Sequence, residues 1–156
     1  MRKLTRVVLF GIAALLAEQA GAADDARNGS RFAPWVMRNF AIAQPLAGLG
    51  GVAERGKRLI AARDKGNCLA CHDIPAVEEP LHGTVGPSLA HIAQRMTVAQ
   101  IRAHVVDQQR FNPLTVMPGY HRDPALLHQV LPEFAGKPVL SAREIEDIVV
   151  FLSTLK

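Results

Sequence analysis

The residues best suited to chemistry form one short stretch, Cys68-Leu69-Ala70-Cys71-His72. Two thiols three positions apart, followed at once by an imidazole, are the pattern of covalent c-type haem attachment. Each sulfur can add to a haem vinyl group, and the histidine can ligate the iron. One helical turn brings both sulfurs to one edge of the flat macrocycle. The sequence therefore predicts one covalently attached haem c, with Cys68 and Cys71 as attachment points and His72 as an iron ligand.

Three other uses of a cysteine pair fit the surrounding sequence less well. A thioredoxin-like redox pair belongs to a strand-to-helix unit, but the polar residues 63–67 before Cys68 are no buried strand. A closed zinc site would have to recruit scattered histidines, because the chain has only 2 cysteines. A disulfide across two intervening residues would be strained and would close almost no loop.

Met117 is the candidate for the second axial ligand. It stands in a proline-containing segment, residues 112–118, where Pro118 disfavours helix and holds Met117 extended. We expect it to face His72 across a slot whose lining is apolar: Leu89, Ile92, Val105 and Val116. Its alternative role is core packing, and the rival ligands are His82, His91, His104, His121 and His128. Histidine with methionine would raise the reduction potential and close the iron to substrates, which favours electron transfer.

The other three methionines each have another expected place: a signal peptide, an N-terminal extension and a helix cap (Met1, Met37 and Met96).

Residues 1–22 have the parts of a secretory signal peptide: a basic start, an apolar stretch too short to span a bilayer, and a small-residue cleavage site ending at Ala22. Its removal takes away three basic residues and Glu18, so Lys plus Arg falls from 18 to 15, Asp plus Glu falls from 14 to 13, and the net charge becomes +2. This charge gives no support to a nucleic-acid partner. We expect a periplasmic protein with no membrane span after cleavage.

Composition divides the mature chain into an N-terminal extension, residues 23–50, and a haem domain, residues 51–156. Apolar residues punctuated by two prolines occupy much of the extension: Phe32, Trp35, Val36, Met37, Phe40, Ile42 and Leu46. The extension could pack on its own domain, or so much apolar surface could cover a partner. The sequence leaves both alternatives open.

Periodicity and capping signals predict that the haem domain is all-α. Apolar residues recur at helical spacing after Gly51. Two capping boxes with hydrophobic staples open later helices: Thr97 and Gln100 with Met96 and Ile101, for a helix through about Asp107, and Ser141 and Glu144 with Leu140 and Ile145.

These features resemble small, class I-like cytochromes c, in which the first and last helices cross beside one haem. Gly56, one turn before Ile60, resembles the close-approach position at that crossing. In such proteins a Gly-Pro-x-Leu turn supplies a carbonyl that accepts a hydrogen bond from the haem histidine and fixes its ring. The resemblance gives this role to Pro87, in the turn of residues 86–89.

Residues 56–155 more specifically resemble the SoxX family, the small monohaem subunit of the SoxAX cytochromes of thiosulfate oxidation. The haem motif alone is shared by all c-type cytochromes, but an ordered set of segments is more selective. These segments are Gly66-Asn67-Cys68-Leu69-Ala70-Cys71-His72, His82-Gly83-Thr84-Val85-Gly86-Pro87-Ser88-Leu89, Val116-Met117-Pro118, Ala135-Gly136-Lys137-Pro138-Val139-Leu140 and Ile145-Glu146-Asp147-Ile148-Val149-Val150-Phe151-Leu152.

The resemblance implies a periplasmic heterodimer with SoxA, the subunit at which thiosulfate is oxidatively joined to a cysteine of the SoxYZ carrier. The present chain would be the electron-transfer subunit, not the catalytic one. It would pass electrons through its His/Met haem to an external cytochrome c.

The alternative is a free periplasmic monohaem cytochrome c that shuttles electrons. Such carriers commonly use a ring of lysines, whereas the mature chain would keep only four lysines against eleven arginines, which favours a stable partner. A haem sensor or peroxidase would need an open iron site, which a Met117 ligand opposes.

Overall fold

The computed structural model describes residues 32–156, which fold from helices and irregular segments. Four α-helices are present in this part of the chain: α1 (Ala53–Ala61), α2 (Ile92–Arg95), α3 (Val98–Asp107) and α4 (Ala142–Leu152). Short 3-10 turns join them: Leu46–Gly48, Cys68–Ala70, Gln108–Arg110, Pro124–Leu126 and Pro132–Phe134. The predicted all-α fold is confirmed. The signal peptide predicted at residues 1–22 lies outside the described residues, as do residues 23–31.

The crossing of α1 and α4 organises the domain. Gly56 makes it possible, because a Cβ atom there would lie only 2.1 Å from the Asp147 backbone oxygen and 2.9 Å from Phe151 Cβ. The predicted close approach is therefore confirmed. An ion pair braces the same crossing: Arg55 Nε and Nη2 lie 2.7 Å and 2.9 Å from the two carboxylate oxygens of the buried Asp147.

Both predicted capping boxes are formed. Thr97 Oγ1 accepts a hydrogen bond from Gln100 N at 3.3 Å, while Gln100 Oε1 accepts one from Thr97 N at 2.9 Å. Ser141 and Glu144 exchange the equivalent bonds at 3.3 Å and 2.8 Å. Each cap satisfies N–H groups that the first helical turn leaves unpaired, and a Ser or Thr cap stabilises a helix by about 1 kcal/mol.

The N-terminal extension, as far as it is described, packs on its own domain at its apolar positions. Ile42 and Leu46 are 3% and 2% exposed. The neighbouring Val36 and Phe40 remain 67% and 69% exposed. The buried part of the extension therefore packs on its own domain. Only the exposed residues of its described part could contact a partner.

The backbone of the extension forms hydrogen bonds with a buried ion pair. Arg102 on α3 and Glu146 on α4 are bonded bidentately at 2.8 Å and 3.0 Å, with side chains 5% and 2% exposed. Arg102 Nη1 also donates to the Ile42 carbonyl at 2.8 Å, and Glu146 accepts from Leu46 N at 2.8 Å. The extension therefore helps to satisfy two buried charges, which would otherwise be costly in a low-dielectric interior.

Truncating Arg102 should test this dependence. Arg102→Ala would leave the Glu146 carboxylate buried and uncompensated, and we expect a loss of about 3–5 kcal/mol in the free energy of unfolding. Denaturant unfolding followed by circular dichroism measures it. Arg63→Ala, at an exposed position, is the control and should change stability by less than about 0.5 kcal/mol. An Arg102→Ala midpoint equal to the wild-type midpoint would contradict the prediction.

Candidate haem site

The two cysteines lie on one tight turn. Residues Cys68–Ala70 form a 3-10 helix. The N–H groups of Cys71 and His72 both donate to the Cys68 carbonyl, at 3.1 Å and 2.9 Å. Both thiols are free, and burial raises the pKa of the Cys68 thiol to about 12, so it is uncharged at neutral pH. The predicted arrangement of two sulfurs on one turn, with His72 directly after it, is present in the structure.

A second loop runs alongside the cysteine turn and fixes its backbone. Three backbone hydrogen bonds of 2.7–2.8 Å join the N–H groups of Gly83, Gly86 and Leu89 to the carbonyls of Leu69, Cys71 and Asp73, respectively. A side-chain contact reinforces this pairing, because Ser88 Oγ donates to Asp73 Oδ2 at 2.8 Å. This hydrogen bond, with a smaller contribution from His82, lowers the pKa of Asp73. The carboxylate is therefore ionised at neutral pH.

The imidazole of His72 has one tautomer in this setting. Its Nδ1 lies 2.8 Å from the Pro87 carbonyl, the contact predicted from the Gly-Pro-x-Leu turn. A carbonyl can only accept, so Nδ1 carries a proton, and in the neutral ring Nε2 then presents its lone pair. Within residues 32–156, His72 Nε2 has no hydrogen-bond partner. The ring is therefore oriented and protonated as an iron ligand requires.

Gly86 packs directly against the face of this imidazole. A Cβ atom at Gly86 would lie 2.3 Å from His72 Cε1 and 2.6 Å from Nδ1, closer than atoms can approach. The residue before Pro87 must therefore lack a side chain if His72 is to reach the carbonyl. The sequence placed Gly86 in the turn but did not predict this contact with the ring.

Met117 lies in an irregular segment between α3 and α4, half-buried against the hydrophobic core. Its N–H donates to Thr115 Oγ1 at 3.2 Å. Of the predicted slot residues, Ile92 and Val105 are buried and Leu89 is half-buried. Val116 is 79% exposed, so its place in the lining stays a prediction.

A family model for cytochrome c matches residues 53–156. The chain belongs to the cytochrome c family. Among solved structures, it is similar to a chain in the crystal structure of SoxXA from P. pantotrophus, with a TM-score of 0.70 and 34% identity, over 78% of this chain and 94% of that chain. This match confirms the resemblance to SoxX that the sequence predicted. A search of curated proteins found no match.

The residues of this cytochrome fit the haem c that the family carries. Two thiols on one turn can hold the vinyl edge, and the adjacent imidazole presents a free Nε2. Met117 offers a soft thioether, a sulfur ligand of the kind that pairs with histidine in cytochromes c. The cytochrome is therefore a c-type cytochrome with one covalent haem, and its role is electron transfer.

Buried His121, the strongest rival for the second ligand position, is already fully bonded. Its Nε2 accepts a hydrogen bond from Ala33 N at 3.0 Å, and its Nδ1 donates to the Leu140 carbonyl at 2.8 Å. Burial lowers its pKa, which agrees with a neutral ring. Neither nitrogen of His121 is available to iron.

The four remaining histidines differ in how far they are engaged. His82 Nδ1 contacts Asp73, while its buried Nε2 has no hydrogen-bond partner in the described part of the chain. His104 stacks on Phe111 with ring centroids 4.0 Å apart. His91 and His128 are exposed.

Some arginines of this chain serve its own fold. Three form bidentate pairs with buried carboxylates of the same chain: Arg55 with Asp147, Arg102 with Glu146 and Arg122 with Asp107. Arginine usage therefore favours a stable partner only through the other arginines.

Adding a methyl group at Gly86 should disturb the iron ligand selectively. In Gly86→Ala the new Cβ would overlap His72, so we expect the imidazole to leave the Pro87 carbonyl and ligate iron less well. Visible absorbance and the reduction potential of the haem-loaded protein would both change. Gly50→Ala is the matched control, because a Cβ atom there would have no neighbour within 4 Å. Equal spectra and potentials for both variants would show that His72 does not depend on this contact.

Proposed function

We propose that this cytochrome is the electron-transfer subunit of a SoxAX-like complex in the periplasm, with a SoxA-like cytochrome as its partner. The similarity to a chain of SoxXA from P. pantotrophus over 94% of that chain carries this proposal. Within the described residues no helix is long and apolar enough to cross a membrane. We further propose that residues 1–22 are the signal peptide of export and that cleavage occurs near Ala22.

The site residues have distinct roles in this proposal. Cys68 and Cys71 attach the haem through thioether bonds, and His72 ligates the iron from one side. The Pro87 carbonyl holds the imidazole proton and raises the basicity of Nε2, as outer partners of metal-bound histidines do. Met117 ligates from the other side. When bound, the haem supplies reversible one-electron oxidation and reduction of its iron.

Ligation of the iron by both His72 and Met117 would decide which chemistry belongs to this chain. A methionine ligand raises the potential and leaves no coordination position for a substrate. Bond formation between thiosulfate and a cysteine of a SoxYZ carrier would therefore occur on the partner subunit. The chain would accept the electrons released there, and an external cytochrome c would take them up.

The exposed face of the N-terminal extension is our candidate contact with the partner. Val36 and Phe40 are large apolar residues that the described part of the chain leaves largely uncovered, at 67% and 69% exposure. The buried residues beside them, Ile42 and Leu46, hold this face on the domain. Deleting the whole extension would also uncover the Arg102–Glu146 pair, so point substitutions test the contact more cleanly than deletion.

Co-expression of this chain with a SoxA-like subunit tests the proposal. We expect the two to elute together in size-exclusion chromatography, and Val36→Ser with Phe40→Ser to weaken the complex while the haem spectrum stays unchanged. Removing two apolar anchors from an interface commonly reduces affinity by about tenfold or more.

Leu126→Ser is the control, because Leu126 is 69% exposed but lies outside the extension. Elution of the wild-type chain alone, at the size of a monomer, would favour the free electron shuttle instead. Complex formation that the double substitution leaves intact would place the contact on another face.

A further inference from the structure

We propose that the Asp107–Arg122 ion pair closes the loop that carries Met117 and thereby positions its sulfur for the iron. This inference rests on the proposed ligation by Met117. The loop runs from residue 108 to residue 122, between the end of α3 and the segment that leads toward α4.

Residues 112–118 have little to hold them in place. Within the described chain their hydrogen bonds are local: Asn112 N to Gln108 O, Thr115 N to Asn112 O, Leu114 N to Asn112 Oδ1 and Met117 N to Thr115 Oγ1. No hydrogen bond joins this stretch to a distant part of the described domain. The position of Met117 therefore depends on packing and on where the two ends of the loop are fixed.

The carboxylate of Asp107 fixes both ends. At the start of the loop, Asp107 Oδ1 accepts a hydrogen bond from Gln109 N at 3.2 Å and so caps the 3-10 turn Gln108–Arg110. At the far end, Arg122 donates to both of its oxygens, Nε to Oδ2 at 3.0 Å and Nη2 to Oδ1 at 2.7 Å. Asp107 is 3% exposed, whereas the Arg122 side chain is 30% exposed, so the carboxylate end of the pair is the one shielded from water.

Gly119 brings the backbone of the methionine segment onto the ion pair. A Cβ atom there would lie 2.4 Å from Arg122 Nε and 2.8 Å from Asp107 Oδ1. The chain two residues after Met117 therefore rests directly on the paired side chains. A displacement of either side chain would therefore move the backbone next to Met117.

The segment after Gly119 is tied to the rest of the site. Tyr120 Oη donates to the Gly66 carbonyl at 2.6 Å, two residues before Cys68, and His121 N donates to Val106 O at 3.1 Å. Burial raises the pKa of Tyr120, so the phenol keeps the proton that it donates. The ion pair thus completes an anchor that joins the methionine side of the site to α3 and to the cysteine turn.

The experiment titrates the haem-loaded ferric protein with imidazole, which competes with Met117 for iron. Arg122→Gln removes the charged bidentate contact, and we expect imidazole to bind about tenfold tighter, the size expected for loss of a charge-assisted hydrogen bond. The red charge-transfer band of methionine-ligated ferric haem should weaken in parallel. Arg122→Lys should give an intermediate affinity, and Gly119→Ala should act like Arg122→Gln.

Arg102→Gln is the matched control, because Arg102 makes a bidentate pair with Glu146 that lies away from the loop and is buried even more deeply than the Arg122–Asp107 pair. It should destabilise the fold while leaving imidazole affinity within about twofold of wild type, a change too small to indicate a lost contact. Equal weakening of the band in Arg102→Gln and Arg122→Gln would overturn the proposal, since the effect would then be one of global stability.

Met117→Ala separates failure of the ligand from failure of the ion pair. If wild type lacks the band and binds imidazole as tightly as Met117→Ala, ligation by Met117 is wrong and the positioning role is wrong with it. If wild type has the band and Arg122→Gln retains it with unchanged imidazole affinity, only the role of the ion pair is overturned.

Discussion

The hydrogen bond from His72 Nδ1 to the Pro87 carbonyl is the contact on which the site depends. It selects the tautomer in which Nε2 can ligate iron, and it sets the plane of the ring. The bond is possible only because residues 83–89 are paired by backbone hydrogen bonds with residues 69–73, and because Gly86 presents no side chain to the imidazole. The haem motif is thus the chemically reactive half of a two-loop unit whose other half holds it in position.

Features encoded within a few residues were predictable from the sequence. The two capping boxes, the cysteine turn and the Gly-Pro-x-Leu turn each join residues close in the chain, and their geometry follows from local spacing. The helix crossing at Gly56 was predicted through resemblance to small cytochromes c, since a glycine on a helix does not by itself indicate its partner.

The contacts that the sequence did not predict join distant charged residues. Arg102 and Glu146 lie 44 positions apart, and Asp107 and Arg122 lie 15 apart. Charged side chains are usually solvated, so nothing local marks Arg102, Asp107 and Glu146 as buried, or Arg122 as the partner of Asp107. Only the three-dimensional packing of α3 against α4 and against the loop decides that they meet. For the same reason the extension could not be assigned: its backbone groups at Ile42 and Leu46 complete an ion pair that is itself invisible in the sequence.

Buried ion pairs of this kind contribute geometry more than net stability, because the cost of desolvating two charges offsets much of their attraction. For this cytochrome the gain is a fixed geometry rather than net stability. A methionine in a stretch, residues 112–118, whose own hydrogen bonds are local has several positions available, and a bidentate guanidinium-carboxylate contact at the ends of the loop is directional enough to exclude most of them. Hydrophobic residues at 107 and 122 could match the pair in stability. They would accept no hydrogen bond from the Gln109 N–H, and they would form no directional contact between the two ends of the loop. Retaining charges in the interior is therefore consistent with a need to fix where the backbone around Met117 lies.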